Sequence, residues 1–248
     1  MINIHIKNKS WPTTEEAAEQ AVIKDLEFSL EKNEFVCMVG PSGCGKSTLL
    51  NLLAGLDSDY DGKINLNTSQ HNYSPHIGFV FQNPRLLPWR TVRENIELAL
   101  PEPPPEQSQE IIDNLIEIMG LTEAQHKYPE MLSLGMSRRA ALVRAFSIQP
   151  NFLLMDEPFV SLDAPTARKV RTLLIDVWKK RPHTVLFVTH DLDEAIQLAD
   201  RILFLSPSPT HIVTDIKIDI PRGSRNEEQI NLFKKRLFDE TETIRTLL

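Results

Sequence analysis

No stretch of this chain is apolar for long enough to cross a bilayer as a helix, which takes roughly 20 consecutive apolar residues. The opening Met1-Ile2-Asn3-Ile4-His5-Ile6-Lys7 alternates as a strand does and lacks the apolar core of a secretion signal. These absences predict a cytoplasmic protein whose link to any membrane runs through a partner. Cysteine is scarce: Cys37 and Cys44 are the two, and neither belongs to a metal-binding spacing. That excludes a disulfide framework and a zinc module. An excess of basic charge is missing too, with 27 Lys and Arg against 34 Asp and Glu and a net charge of -7. A general nucleic-acid partner is therefore not expected. There is no internal repeat. What remains is 248 residues, 41% hydrophobic and 25% charged, the composition of an α/β protein with one large core or two modest ones.

The most informative stretch is Gly40-Pro41-Ser42-Gly43-Cys44-Gly45-Lys46-Ser47, followed by Thr48. It leaves the apolar run Phe35–Val39, which reads as a buried strand, and opens a helix that ends before Gly55. Between a strand and a helix, this glycine spacing is that of a phosphate-gripping loop. Glycines let successive N–H groups turn inward on phosphate oxygens, and the helix adds the positive end of its dipole. Lys46 would supply charge to the β- and γ-phosphates of a nucleotide, and Ser47 a hydroxyl ligand for Mg2+. Cys44 reads as a small loop residue.

Ahead of this loop, Ile2, Ile4 and Ile6 mark one strand and Ala21–Leu30 a second, together an antiparallel sheet. Trp11 lies on the polar approach between them. It either stacks on an adenine ring or caps the sheet edge. Asp57 to Tyr73 is polar, with Asp61-Gly62 and Asn67 marking turns. Ile77–Phe81 is the next strand, ending at Gln82, where a glutamine can reach a metal or a water. Beyond it, Leu86, Leu87, Pro88 and Trp89 form an apolar, proline-broken surface stretch. Thr91 and Glu94 form a capping box. Pro101 to Glu106 is a stiff connection, and Ile111 to Met119 an amphipathic helix ended by Gly120.

The buried strand Phe152–Met155 ends in Asp156 and Glu157, and Thr184–Thr189 ends at His190. Helices at Ala164–Lys180 and Leu192–Leu198 alternate with these strands and Ile202–Leu205, which implies a mainly parallel sheet. Ligands gather at the carboxyl ends of such strands, so the two carboxylates and His190 are expected to face the phosphate loop. Asp156 suits a Mg2+ ligand and Glu157 a general base polarising the attacking water. His190 suits a contact to the γ-phosphate.

Six motifs now stand in order: GPSGCGKST (Gly40–Thr48), FQ (Phe81-Gln82), LSLGMSRR (Leu132–Arg139), LLMDEP (Leu153–Pro158), SLD (Ser161–Asp163) and VTHD (Val188–Asp191). Over nearly its whole length the chain resembles the ATP-binding subunits of ABC transporters. The resemblance implies an α/β P-loop NTPase: core residues 1–82 and 150–220, a helical subdomain at 83–149 and a helical tail at 221–248. It implies that Lys46, Gln82, Glu157 and His190 act in ATP hydrolysis, with Mg2+ on Ser47, Gln82 and Asp156. It also raises Trp11 as an adenine-stacking residue. Two copies are expected to pair head to tail, Ser133 and Gly135 of each serving the other's γ-phosphate. Transmembrane permease subunits are the expected partners, with a solute-binding protein reached indirectly, so the chain would sit on the inner face of the membrane.

The stretch Phe81–Ile96, Leu86-Leu87-Pro88-Trp89 above all, is similar to importers of nitrate, sulfonates and taurine, and would contact the permease. Met136–Ala141 instead resembles lipid-trafficking ABC ATPases. The signature departs from its family pattern at two places: Leu134 replaces a glycine and Arg138 a glutamine. A side chain at Leu134 is expected to restrict the backbone and crowd the phosphate, sparing ATP binding but weakening closure or hydrolysis. A nucleotide-gated regulatory subunit with weak hydrolysis is the alternative this leaves open.

Overall fold

A computed structural model describes residues 1–12, 19–66, 76–160 and 162–247. The chain opens with β1 (Ile2–Pro12), β2 (Glu19–Leu30), β3 (Phe35–Val39), α1 (Lys46–Leu53) and β4 (Asp61–Asn65). It continues with β5 (Ile77–Val80), α2 (Val92–Glu97), α3 (Ser108–Ile118), α4 (Leu134–Ser147), β6 (Phe152–Asp156) and α5 (Ala164–Lys180). It closes with β7 (Thr184–Thr189), α6 (Leu192–Leu198), β8 (Arg201–Leu205), β9 (Ile212–Lys217), α7 (Glu227–Glu240) and α8 (Glu242–Leu247). Asn67 and the rest of the polar segment to Tyr73, and Ser161 of the SLD motif, lie outside the described residues. Contacts divide the chain into two compact units, Met1–Ser74 with Thr184–Leu248, and Pro75–His183.

In the first unit, β1 lies between β2 and β4, antiparallel to both. Ile2, Ile4 and Ile6 point to one side and are buried, as period-2 alternation requires. β1 runs on through Trp11 and Pro12, which pair with Gln20 and Glu19, so the polar approach is strand rather than loop. Proline is tolerated there because it ends the strand. The parallel strands of this unit are ordered β7-β3-β8, with β9 antiparallel at the edge. All five residues of β3 and all six of β7 are buried, which explains their unbroken apolar runs. Each buried Val, Leu or Phe there contributes about 1.5–3 kcal/mol. The edge strand β9 is continuous from Ile212 to Lys217.

The terminal helix packs on the fold: Ile230, Phe233 and Leu237 of α7 are buried, and α7 meets α6. Arg225 Nη1 donates to the carbonyls of Ile196 (3.0 Å) and Ala199 (2.7 Å), filling acceptors that the end of α6 leaves open. Burial, then the neighbouring Arg222 charge, pulls the Arg225 guanidinium down to about 10.

In the second unit, β5 and β6 are parallel, with Val80 opposite Met155. Helices α2 and α3 pack on α4, and α4 packs on β5, which groups the helices with these two strands. The capping box at α2 is complete: Thr91 Oγ1 accepts from the Glu94 amide, and Glu94 accepts from the Thr91 amide at 2.7 Å. Gly120, with φ 62°, follows α3 in the left-handed form that ends many helices.

Candidate functional site

The loop from Gly40 to Ser47 leaves the carboxyl end of β3, between β7 and β8. A Cβ on Gly40 would stand 2.9 Å from the Leu205 Cβ, so only glycine fits beside β8. Gly45 adopts φ 113°, a conformation that side chains rarely accept, and turns the chain into α1. Cys44 is buried against Gly40, as a small loop residue would be. Ser42, Gly43 and Ser47 face solvent, and Thr48 is half-buried.

Lys46 is 6% exposed, and its Nζ donates to the carbonyls of Gly40 and Pro41, each at 2.8 Å. These described bonds reach no carboxylate. A buried ammonium held by carbonyls favours an anion beside it. The turn of amides and this cation together fit a polyanion such as a triphosphate.

His190 and the loop leave neighbouring strands at the same level, since Val39 pairs with Thr189. His190 is exposed there. Behind it, Thr189 Oγ1 donates to Glu194 at 2.6 Å and accepts from the Asp191 amide at 3.0 Å. Asp191 Oδ1 in turn accepts from the Asp193 and Glu194 amides. Glu194, which lies outside the VTHD motif, completes this lock on the strand end.

Trp11 is also drawn towards the loop. The Cβ position of Gly45 lies 2.8 Å from Val22 Cγ1, and Val22 sits on β2 where the pairing shifts between Lys9 and Ser10. Trp11 pairs two positions away, with Gln20, and is 45% exposed. Lys9, which the sequence did not single out, lies beneath it: Nζ is 4.1 Å from the ring centroid and 2.9 Å from Asp57 Oδ2.

In the second unit, Gln82 follows β5 and the pair Asp156 and Glu157 ends β6, so three predicted residues leave one edge of two adjacent strands. Gln82 is exposed, Asp156 buried, and Glu157 intermediate. Glu157 has φ 44°, a left-handed conformation costing a side-chain-bearing residue roughly 1–2 kcal/mol. Ser133 caps α4, its Oγ accepting from the Met136 amide at 3.3 Å, and Gly135 follows in the first turn. Leu134 opens the helix in ordinary right-handed backbone and is 49% exposed. The expected restriction of the backbone is therefore absent; any crowding by Leu134 falls on what docks against it. Arg138 is buried and donates to the carbonyls of Glu157 and Pro158.

The apolar stretch after Gln82 is held from beneath by side chains that the motifs do not include. Asn95 is fully buried: Oδ1 accepts from the Leu87 amide at 2.6 Å, and Nδ2 donates to the carbonyls of Leu87, Arg90 and Thr91. Arg144 donates to the carbonyls of Pro84 and Arg85. Trp89 stays 69% exposed on top. Paired polar side chains that order an exposed apolar loop suit a docking surface.

Residues 23–160 match the family model described as ABC transporter. The aliphatic sulfonates import ATP-binding protein SsuB of Bacillus subtilis is 40% identical over 97% of this chain and 94% of its own length. The nitrate import ATP-binding protein NrtD of Synechococcus elongatus is 41% identical over 89% of this chain and 81% of its own. Among solved structures, the dimeric ABC transporter cassette MJ0796 superposes with a TM-score of 0.77 at 29% identity, covering 89% of this chain and all of that one. The same cassette in a dimeric post-hydrolysis state bound to ADP and Pi gives 0.76 at 28%.

Proposed function

The chain belongs to the ABC transporter family, and from that premise we propose that it is the ATP-hydrolysing subunit of an importer of small oxyanions of the sulfonate or nitrate type. The sulfonate and nitrate relatives favour this over the lipid-trafficking reading of Met136–Ala141 and over a regulatory subunit that barely hydrolyses. The observation that carries the nucleotide role is the buried Lys46, held by carbonyls inside a glycine turn.

In this reading the amides of Gly43 to Thr48 and the Lys46 ammonium grip the β- and γ-phosphates, and Trp11 stacks on the adenine. Ser47, Gln82 and Asp156 hold Mg2+, which supplies charge neutralisation to the phosphates when bound. Glu157 accepts a proton from the attacking water, whose oxygen forms the new bond to the γ-phosphorus as the bond to ADP breaks. His190 contacts the γ-phosphate. A second copy of the chain, as in the dimeric cassettes, presents its Ser133 and Gly135 to the same nucleotide. The loop around Trp89 passes closure to transmembrane permease subunits that receive solute from a binding protein, keeping the chain peripheral on the cytoplasmic face.

Purified protein with Mg-ATP tests the assignments. Glu157→Gln should keep ATP binding, form an ATP-dependent dimer in light scattering and lose turnover by roughly 100-fold or more. Lys46→Met should lose binding itself. Parental turnover in Glu157→Gln would remove Glu157 from the base role. For the substrate, cells lacking the chain should fail to grow on an alkanesulfonate as sole sulfur source or nitrate as sole nitrogen source. Normal growth on both would overturn the oxyanion class.

A further inference from the structure

The second departure in the signature stretch has a structural partner. Arg138 lies on the second turn of α4, where the related pattern carries glutamine. It is 7% exposed, and its Nη1 donates to the Glu157 carbonyl at 3.3 Å and the Pro158 carbonyl at 3.2 Å. Its Nε has no hydrogen-bond partner among the described residues. Two carbonyls in succession are thus gripped by one planar group at the point where Glu157 takes its left-handed conformation, φ 44°. A left-handed residue with a side chain persists only where its surroundings hold it.

We propose that Arg138 is a positioning residue for hydrolysis: by gripping the Glu157 and Pro158 carbonyls it fixes the Glu157 backbone, and with it the direction of the carboxylate, relative to the helix that carries Ser133 and Gly135. Burial pulls the guanidinium down from its usual value and the Glu157 charge opposes this, so the charge of Glu157 also acts on the arginine. Both bonds leave one NH2 group, Nη1, at the end of a planar guanidinium, and the terminal NH2 of a glutamine offers the same kind of donor to these carbonyls. Leu134 and Arg138 then differ in kind. The first alters the docking face, and the second braces the turn behind Glu157.

The inference rests on Glu157 as the group that polarises water, so Glu157→Gln is measured beside it. Misplacing a reacting group by about 1 Å costs on the order of 100-fold. Arg138→Met, which fills similar space without a donor, should lower kcat about 10- to 100-fold while KM and the Kd for Mg-ATP stay within about twofold. Arg138→Gln, which keeps an N–H donor, should retain kcat within about threefold. If Arg138→Met does not fold by circular dichroism, Arg138→Lys takes its place: its compact ammonium lacks the planar fork and should give a kcat below that of Arg138→Gln. A parental kcat in Arg138→Met or its lysine substitute, equal losses in that variant and Arg138→Gln, or a loss of affinity at unchanged kcat each overturns the proposal. When Glu157→Gln is inactive under such a result, the positioning role alone has failed. A fully active Glu157→Gln removes the base assignment and this inference with it.

Discussion

The Lys9 ammonium lies 4.1 Å from the centroid of the Trp11 ring, and both residues stand on β1. Lys9 is buried and meets Asp57 and the Asp59 carbonyl, so the indole lies against a held cation while Trp11 as a residue stays exposed. Such a ring is preorganised to stack on a base. Stacking is worth about 1–3 kcal/mol per base, so Trp11→Ala should weaken ATP binding roughly 5- to 150-fold by calorimetry. Trp11→Phe should recover most of the loss. Equal affinities for ATP and for triphosphate alone in the parent would count against stacking.

The same cluster predicts an acid-sensitive contribution to stability. Burial raises the Asp57 pKa, but the Asp59 amide and the Lys9 ammonium outweigh it, leaving the net value below the usual carboxylate range. A carboxyl lowered on folding contributes stability that is present above its unfolded pKa, about 3.9, and is lost as pH falls through the folded value. Asp57→Asn should therefore destabilise the protein by roughly 1.5–3 kcal/mol near pH 7. In urea unfolding the gap to the parent should close below about pH 4. A gap that is constant with pH would assign the loss to packing.

Asn95 separates coupling from chemistry. Its buried amide makes four hydrogen bonds to the backbone of Leu87, Arg90 and Thr91 beneath Trp89. Asn95→Leu leaves those backbone groups to find other partners and should release the loop. Transport by the assembled importer should fall at least about tenfold while ATP turnover of the isolated chain changes less than about threefold. Trp89→Ala should behave in the same way.

Leu134 is accessible to a direct test, because it is 49% exposed and strains nothing in its own subunit. Leu134→Gly should change unfolding free energy by less than about 1 kcal/mol. In a Glu157→Gln background it should lower the ATP concentration needed for dimerisation, followed by sedimentation. An unchanged or raised requirement would show that Leu134 does not crowd the closed interface.

Much of this protein is legible in one dimension because its signals are local. The phosphate loop needs glycines at fixed spacing, a capping box needs Thr91 and Glu94 three residues apart, and strands covered on both faces leave unbroken apolar runs such as Thr184–Thr189. These signals mark β3, α1, α2, β6 and β7 along the chain. Other features depend on partners far along the chain, and no local pattern announces them. Lys9 is buried by Asp57 and Asp59, and the run of β1 through Trp11 needs its pairing with Gln20. Arg144 reads as a surface charge until it is seen to bond the carbonyls of Pro84 and Arg85. The sequence alone determined that the chain grips a nucleotide, because backbone geometry and residue type suffice for that. Only the tertiary structure decided that Leu134 is unstrained and that Arg138 braces Glu157: a substitution's effect depends on which surface the side chain meets, and packing sets that surface.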